Sequence, residues 1–411
     1  MHPDPPRLTA AEVALRLGVK VPTVYAYVSR GYLHSERTPD GRSSTFDSAQ
    51  VDRVARRGRP RRSSRQPVLE IEIVTSLTDV SGGHLRFRGY DAVELARSAT
   101  FESVAELLVV DEFEDRFRTW PAGHVQPVAE GTNLDRLRIA TAAAAAGDAF
   151  GADLSPDAVV ATARRLIPAI VGALPIRSRR GSPRLRLIAA DGSRVTVSGT
   201  IAEQLAPRLG RRPVDTALVS MVNGALCLLA DHELAVSTLA ARVAASAHAD
   251  PYGVVSAGLG PFSGSLHGTA SRHVRTLLDR ANTGGVSAAV NEALQVHRHV
   301  PGFGHPLYPQ GDPRCTELLR LLREHWSGKD GMDTVETVLS MAVDRTQVHP
   351  NVDFALGAIG HVGELGHDAG DAVFGVARTA GWLAHAVEEY GERPLRFRPR
   401  ARYAGSEPRS L

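Results

Sequence analysis

Lysine is almost missing from this chain: among 411 residues it occurs at Lys20 and Lys329 alone, and arginine supplies the other 46 of the 48 basic side chains. There is accordingly no Gly-Lys-Ser/Thr phosphate loop, which excludes a Walker-type nucleotide hydrolase, and neither lysine sits in a motif suited to Schiff-base chemistry. Cysteine is equally scarce. Cys227 and Cys315 lie far apart with no partners at metal-ligand spacing, so neither a disulfide framework, a zinc finger nor any other metal site is supported. No His-Glu-x-x-His occurs. No apolar run approaches the roughly 20 residues that span a bilayer, because Asp231 ends the longest candidate at Leu228-Leu229-Ala230, and no membrane association is expected. The opening Pro3-Asp4-Pro5-Pro6 lacks the apolar stretch of a secretion signal, so a cytoplasmic location is expected.

What is there has the composition of a globular protein, with 43% hydrophobic and 23% charged residues, and its length predicts more than one domain. Charge is unevenly spread. The net formal charge is +3, yet residues 1–66 alone hold 13 basic against 6 acidic side chains, leaving the remainder net acidic. An arginine-rich run from Arg56 through Arg59, Arg61 and Arg62 to Arg65 reads as a solvated linker over 58–69, separating a small domain at 1–57 from a large one at 70–411.

In the small domain, Thr9 is a helix cap, Val13, Leu15 and Leu17 form the expected apolar face, and Gly18 stops the helix. After Val19-Lys20-Val21, Pro22 at a tolerated first-turn position opens a second helix through Val28. Gly31-Tyr32-Leu33 and the Pro39-Asp40-Gly41-Arg42 turn predict a hairpin wing, with another helix starting at Phe46-Asp47-Ser48. This order resembles the winged helix-turn-helix of the mercury-resistance-regulator class. The resemblance implies DNA as a partner through residues 1–66, the second helix entering a major groove while Arg37, Arg42 and the linker arginines meet phosphates. The plainer reading is a helical appendage for assembly.

The large domain is expected to be mainly α. Apolar residues recur at helical spacing, as in Leu134, Leu137, Ile139 and Ala140 or Val219, Met221, Val222 and Leu226. Strand signals are few: 71–75 is expected to pair with 85–88, and 184–198 to fold back around Asp191-Gly192. No βαβ alternation appears, and Gly258-Leu259-Gly260-Pro261-Phe262-Ser263 misses the dinucleotide fingerprint because serine stands in place of its third glycine.

Four polar clusters stand in stretches read as glycine- and proline-bounded turns: Asp231-His232-Glu233, the run from Ser256 to Gly268 containing His267, the run from Val300 to Arg314 containing His305, and Pro350-Asn351-Val352-Asp353. Histidines and an aspartate without metal spacing suit proton transfer and hydrogen bonding to developing negative charge. Arg314, Arg378 and Arg398 offer two-pronged groups for carboxylates. Carbon-acid chemistry on an acidic substrate fits best; a serine hydrolase fits poorly without a Gly-x-Ser-x-Gly elbow.

From about residue 70 to the C-terminus, the chain resembles the citrate synthase family. The resemblance is carried by Leu85-Arg86-Phe87-Arg88-Gly89-Tyr90-Asp91, Gly302-Phe303-Gly304-His305 with Asp312-Pro313-Arg314, Asn351-Val352-Asp353, Arg378 through His385, and Arg398-Pro399-Arg400. It implies citrate synthase-like large and small helical domains, the small one mobile over about 269–364. It also implies a tricarboxylic acid cycle condensation of acetyl-CoA with oxaloacetate, without a cofactor. By the same resemblance Asp353 is the base, His267 a donor to the thioester oxygen, and His305 the group that polarises the ketone. His232, Arg314, Arg378 and Arg398 then hold oxaloacetate, the last from the other subunit of a homodimer. CoA would be held at Leu266, Val300, Gly302, Phe303, Gly304 and Asn351.

The chain departs from the family pattern at Ala235, where asparagine is frequent, at Pro306 and Pro309 in the CoA-facing turn, and at His349, where tyrosine is frequent. Two alternatives stand beside the leading reading. One is 2-methylcitrate synthesis from propionyl-CoA, since one methylene is worth only about 1–3 kcal/mol of discrimination. The other is a DNA-binding regulator whose synthase-like body senses metabolites.

Overall fold

The computed structural model describes residues 7–17, 19–29, 33–38, 44–48, 50–51, 72–123, 126–148, 151–178, 183–189, 191–264 and 267–399. The chain forms two compact units, Met1–Val74 and Thr75–Leu411. Leu266, Arg42, the turn at 39–43 and the whole 58–69 linker lie outside the described residues.

In the first unit, strand β1 (Arg7–Thr9) runs into α1 (Ala10–Leu17), followed by α2 (Val21–Ser29), β2 (Ser35–Arg37) and β3 (Ser44–Asp47). The strands form an antiparallel sheet in the order β1-β3-β2, with Ser35 opposite Phe46 and Arg37 opposite Ser44. Thr9 caps α1 reciprocally: Glu12 N–H donates to Thr9 Oγ1 at 3.3 Å and Thr9 N–H donates to Glu12 Oε2 at 2.7 Å. The core gathers Val13, Ala14, Val24, Tyr27, Leu33, Phe46 and Val51. One expectation fails here. Leu15 is 86% exposed, because residues two apart point to opposite sides of a helix and Ala14 takes the inward place. Phe46 and Asp47 close β3, with Phe46 filling the core beneath the sheet, and helical backbone begins at Ser48 as expected, the Gln50 N–H donating to Asp47 Oδ1 at 3.4 Å.

The second unit opens with β4 (Thr78–Ser81), β5 (His84–Phe87) and β6 (Tyr90–Asp91). The partner of 84–87 is 78–81, not 71–75: Gly82 and Gly83, both at positive φ, make the two-residue turn that sets this register. Helices α3 (Ala92–Ser98), α4 (Phe101–Val110), α5 (Asn133–Gly147) and α6 (Pro156–Gly172) follow. The expected hairpin around Asp191-Gly192 is β7 (Leu185–Ile188) against β8 (Arg194–Val197). After it come α7 (Ile201–Leu209), α8 (Thr216–Leu229), α9 (Val236–Ser246), α10 (Pro251–Phe262), α11 (Ala270–Gly284), α12 (Val286–His297), α13 (Pro313–Trp326), α14 (Met332–Thr346), α15 (Val352–Val362) and α16 (Ala369–Tyr390).

α16 is the axis of this unit. It is buried almost all round from Ala369 to Ala386, as a helix apolar on every side must be, and it packs on α4, α6, α8, α9 and α10. The stretch 256–260, expected as a turn, lies inside α10. Its Gly258 lets that helix lie against Trp382, since a β-carbon there would come within 2.5 Å of the indole. Gly258, the first glycine of the nucleotide-fingerprint look-alike, thus serves helix packing. No helix among the described residues is long and apolar enough to cross a membrane.

Candidate active site

Helix ends build the site. α8 terminates at Leu229, and the chain turns through Asp231, His232 and Glu233, the last at φ +51°. α13 begins with Asp312 as cap and Pro313 in its first turn, a strong start signal. α15 is capped by Asn351, whose side-chain oxygen accepts the Asp353 N–H at 3.0 Å. The Asn351 side-chain nitrogen donates to Gly304 O at 2.9 Å, while the Asn351 backbone N–H donates to Gly302 O at 2.8 Å. One side chain therefore ties the 302–304 turn to the helix that carries Asp353. Gly302 sits at φ +80°, and a β-carbon there would meet Val274 at 2.6 Å and Phe354 at 2.9 Å, so only glycine fits this seam.

Three expected residues, His232, His305 and Arg314, gather around a fourth that the motifs did not single out. Tyr308 Oη lies 3.0 Å from His232 Nε2. The His232 and His305 rings are 5.1 Å apart edge to face, His305 and Tyr308 are also 5.1 Å apart, and the Arg314 guanidinium lies 5.5 Å from the Tyr308 ring. Arg314 does not present a free fork. Its Nε and Nη2 donate to Asp312 at 2.9 and 2.8 Å, and Asp312 also accepts from Val352 N–H at 3.0 Å. Asp312 thereby joins the arginine to the first turn of α15. The Asp-Pro-Arg order signals this cap in the sequence.

Asp353 follows at once. The residue is half-buried, but its Oδ1 is cut off from solvent and has no hydrogen-bond partner. Burial, opposed by Arg314 and reinforced by Asp312 and Asp371, raises its carboxyl to about 7. His267 packs edge-on to Phe262 at 5.6 Å, and its Nε2 lies 2.7 Å from the Ser237 hydroxyl, a partner with no signal in the sequence. Burial, with Arg378 adding to it, lowers His267 to about 4. His232 falls well below its usual range through burial and the charges of Arg314 and Arg378, and His305 falls for burial and Arg314. The imidazoles are therefore neutral near pH 7, fit to donate hydrogen bonds rather than to carry charge. At His305 the Leu307 N–H donates to Nδ1 at 3.2 Å, which leaves the ring proton on Nε2.

Arg378 is fully buried on α16, donates from Nε to Leu229 O at 3.0 Å, and lies 4.9 Å over the Phe374 ring that also neighbours His267. Burial lowers its guanidinium to about 10, against the support of Asp231. Val300 is buried at the root of the 302–304 turn, and Phe303 meets Phe354 edge to face at 5.1 Å. Arg398 is not brought into the cluster: it is exposed, and no hydrogen bond or ion pair holds it among the described residues. No cluster of three or more metal-ligating side chains occurs among the described residues.

A carboxyl raised to about 7 near Arg314, together with neutral imidazoles and the buried Arg314 and Arg378 on a mainly helical body, suits proton transfer on an anionic substrate. The family description "Citrate synthase, C-terminal domain" matches residues 66–400. A 2-methylcitrate synthase 2 of Corynebacterium glutamicum is 30% identical over 349 residues, 80% of this chain and 90% of that protein. A citrate synthase 2 of Bacillus subtilis is 28% identical over 373 residues, 82% and 94% of the two chains. The crystal structure of citrate synthase from Thermotoga maritima superposes with a TM-score of 0.64 at 24% identity over 84% of this chain and 96% of that one. The Thermoplasma acidophilum citrate synthase, solved as a ternary complex with carboxymethyl coenzyme A and oxaloacetate, gives 0.67 at 23% identity over the same shares, 84% and 96%. This chain belongs to the citrate synthase family. It is a condensing acyltransferase, and the family works without a cofactor beyond its CoA thioester.

Proposed function

We propose that Asp353 removes an α-proton from an acyl-CoA thioester and that the resulting enol attacks oxaloacetate, giving citrate from acetyl-CoA or 2-methylcitrate from propionyl-CoA. The observation that carries this reading is the Asp353 carboxyl, held at the start of α15 with an orphaned Oδ1 and raised to about 7. A thioester α-carbon is too weak an acid for an unaided carboxylate, so donors must stabilise the enolate oxygen. His267 is that donor. This role requires the Ser237 hydroxyl, 2.7 Å from Nε2, to donate to it, so that the ring proton sits on Nδ1. His305, with its proton on Nε2, polarises the ketone and protonates the alkoxide. His232, Arg314 and Arg378 hold the dicarboxylate, and Val300, Gly302, Phe303, Gly304 and Asn351 face CoA; the family resemblance adds Leu266, which lies outside the described residues. The segment 269–364, from α11 to α15, closes over the substrates and excludes water.

The exposed Arg398 is read as a contribution to the site of a second copy in a homodimer. Mixing Arg398→Ala subunits with subunits of Asp353→Asn tests this, because a shared site regains activity in the hybrid. Mass spectrometry of the products from oxaloacetate with each thioester tests the reaction itself. Citrate or 2-methylcitrate is expected, and neither from a folded protein overturns the reading.

The first unit is read as a winged helix-turn-helix that binds DNA, supported by α1 and α2 joined across three residues, the β2–β3 pair, and the basic excess in residues 1–66. Residues 1–65 lie outside the family match. Fluorescence anisotropy with duplex DNA over a salt series decides: binding that weakens linearly in log-log form supports it, and none at low salt overturns it.

A further inference from the structure

A line of buried polar groups leads from the substrate cluster into the body of the second unit, and the reaction as described uses none of them. Asp231, fully buried, stands immediately before His232. Its Oδ2 accepts from Thr78 Oγ1 at 2.5 Å and lies 3.3 Å from His385 Nε2. On the far side of that imidazole, Nδ1 lies 2.8 Å from Arg242 Nη1. Arg242 is held in turn by Glu388 at 2.8 Å and Glu389 at 2.9 Å, and Glu389 accepts both arms of the Arg396 fork at 2.7 Å each.

The proton positions follow from donor and acceptor inventory. A guanidinium only donates, so His385 Nδ1 must accept, and the single ring proton resides on Nε2, aimed at Asp231. A doubly protonated ring would set an N–H against the Arg242 N–H. Asp231 has little room to choose another pose, because α16 passes so close that a β-carbon on Gly381 would lie 2.4 Å from Ala230 O and 2.6 Å from Asp231 Oδ1.

Burying this many charges costs several kcal/mol per ion before pairing, and well-packed apolar side chains would often join the same helices as firmly. Fixing the charge and direction of one carboxylate is what apolar packing cannot supply. That carboxylate supports the Arg378 guanidinium against burial, and its backbone continues into His232.

We infer that His385 is a positioning residue for the oxoacid: by donating Nε2–H to Asp231, with Arg242 fixing its tautomer, it presets Arg378 and His232 before substrate arrives. This rests on the reading of His232 and Arg378 as the oxaloacetate grip. His385 touches no reacting atom, so its loss weakens binding of ground and transition state alike and leaves turnover at saturation nearly unchanged.

Two replacements divide the imidazole in half. His385→Gln places an amide near the Nε2 position, keeping a donor for Asp231 while giving up Arg242; His385→Asn keeps an acceptor for Arg242 but falls short of Asp231. Titration calorimetry with oxaloacetate should show Kd raised about tenfold or more in His385→Asn, the scale of one hydrogen bond to a charged group, and within about threefold of the parent in His385→Gln. In both, kcat at saturating oxaloacetate should stay within about twofold. Thr78→Val removes the other donor to the same oxygen without touching His385, and should raise Kd in the same direction; it decides the matter if His385→Asn does not fold. Equal Kd values for the two His385 variants, or an unchanged Kd in Thr78→Val, would overturn the inference. A parent protein that gives no heat with oxaloacetate would instead overturn the functional reading on which it rests.

Discussion

Asn351 joins two parts of the site through one side chain, so its removal has a calculable effect. Its oxygen caps α15 through Asp353 N–H at 3.0 Å, and its nitrogen tethers Gly304 O at 2.9 Å. Losing an asparagine cap costs about 1 kcal/mol. Losing a half-buried neutral hydrogen bond costs about 1 kcal/mol more, so Asn351→Ala should be destabilised by about 2 kcal/mol. In a unit of this size that is a fall of a few degrees in Tm. The rate should suffer further. Asp353 begins the capped helix and His305 follows the tethered turn, and a misplacement of about 1 Å between reacting groups costs on the order of a hundredfold in kcat. Asn351→Asp separates the two effects, since a carboxylate caps the helix but cannot donate to Gly304. It should regain about half the lost stability and little of the rate. Thermal melts with a thiol-release assay measure both. Asn351→Ala with an unshifted Tm and kcat within about threefold of the parent would refute the reasoning.

Other outcomes follow from single environments. Asp353 must be ionised to act as base, and burial raises it to about 7, so kcat/KM should climb with pH up to that value and level above it. His267, held near 4, adds no limb in that window, and a profile flat from pH 5.5 to 8 would contradict the assignment. Glu102 is fully buried with one oxygen unpartnered, and burial raises it from 4.5 to about 8. The folded state keeps its proton where the unfolded chain loses it, so stability is full below pH 4.5 and falls as pH rises toward 8; Glu102→Gln should flatten that slope in denaturant melts. Ala235 stands at the cap position of α9 with extended backbone and no side-chain bond, so Ala235→Asn should stabilise the protein by about 1 kcal/mol, and a lower Tm would argue against room for the cap.

The parts legible in the sequence were those where chemistry and local geometry coincide. Asp312-Pro313-Arg314 and Asn351-Val352-Asp353 are helix starts as well as motifs, and the structure places a capped helix at each. The α8 periodicity at Val219, Met221, Val222 and Leu226 gave a buried helix, as it should. The failures have physical causes. Gly258 and Gly260 read as a turn because glycine is permissive, but Gly258 answers to Trp382, a neighbour more than a hundred positions away. Residues 71–75 had strand-like composition, but register is set by turns, and Gly82-Gly83 placed the pairing at 78–81. Tyr308 and Ser237 enter the site through partners distant in sequence, and His385, though it closes the Arg378-to-His385 motif, shows nothing locally of its Asp231 and Arg242 partners. Arg314 has a role in the sequence pattern that its fold partly redirects, since Asp312 occupies the fork expected for substrate.

If Asp353 is the base of an acyl-CoA condensation, removing its charge without changing its shape must stop the reaction. The direct measurement is release of free CoA thiol from acetyl-CoA and from propionyl-CoA with oxaloacetate, comparing the parent chain with Asp353→Asn at matched folding. Oxaloacetate-dependent release is expected from the parent, reduced at least about a hundredfold in Asp353→Asn, which leaves the shape of the site but removes the base. Release that is equal in the two proteins, or absent from the folded parent with both thioesters, would contradict it.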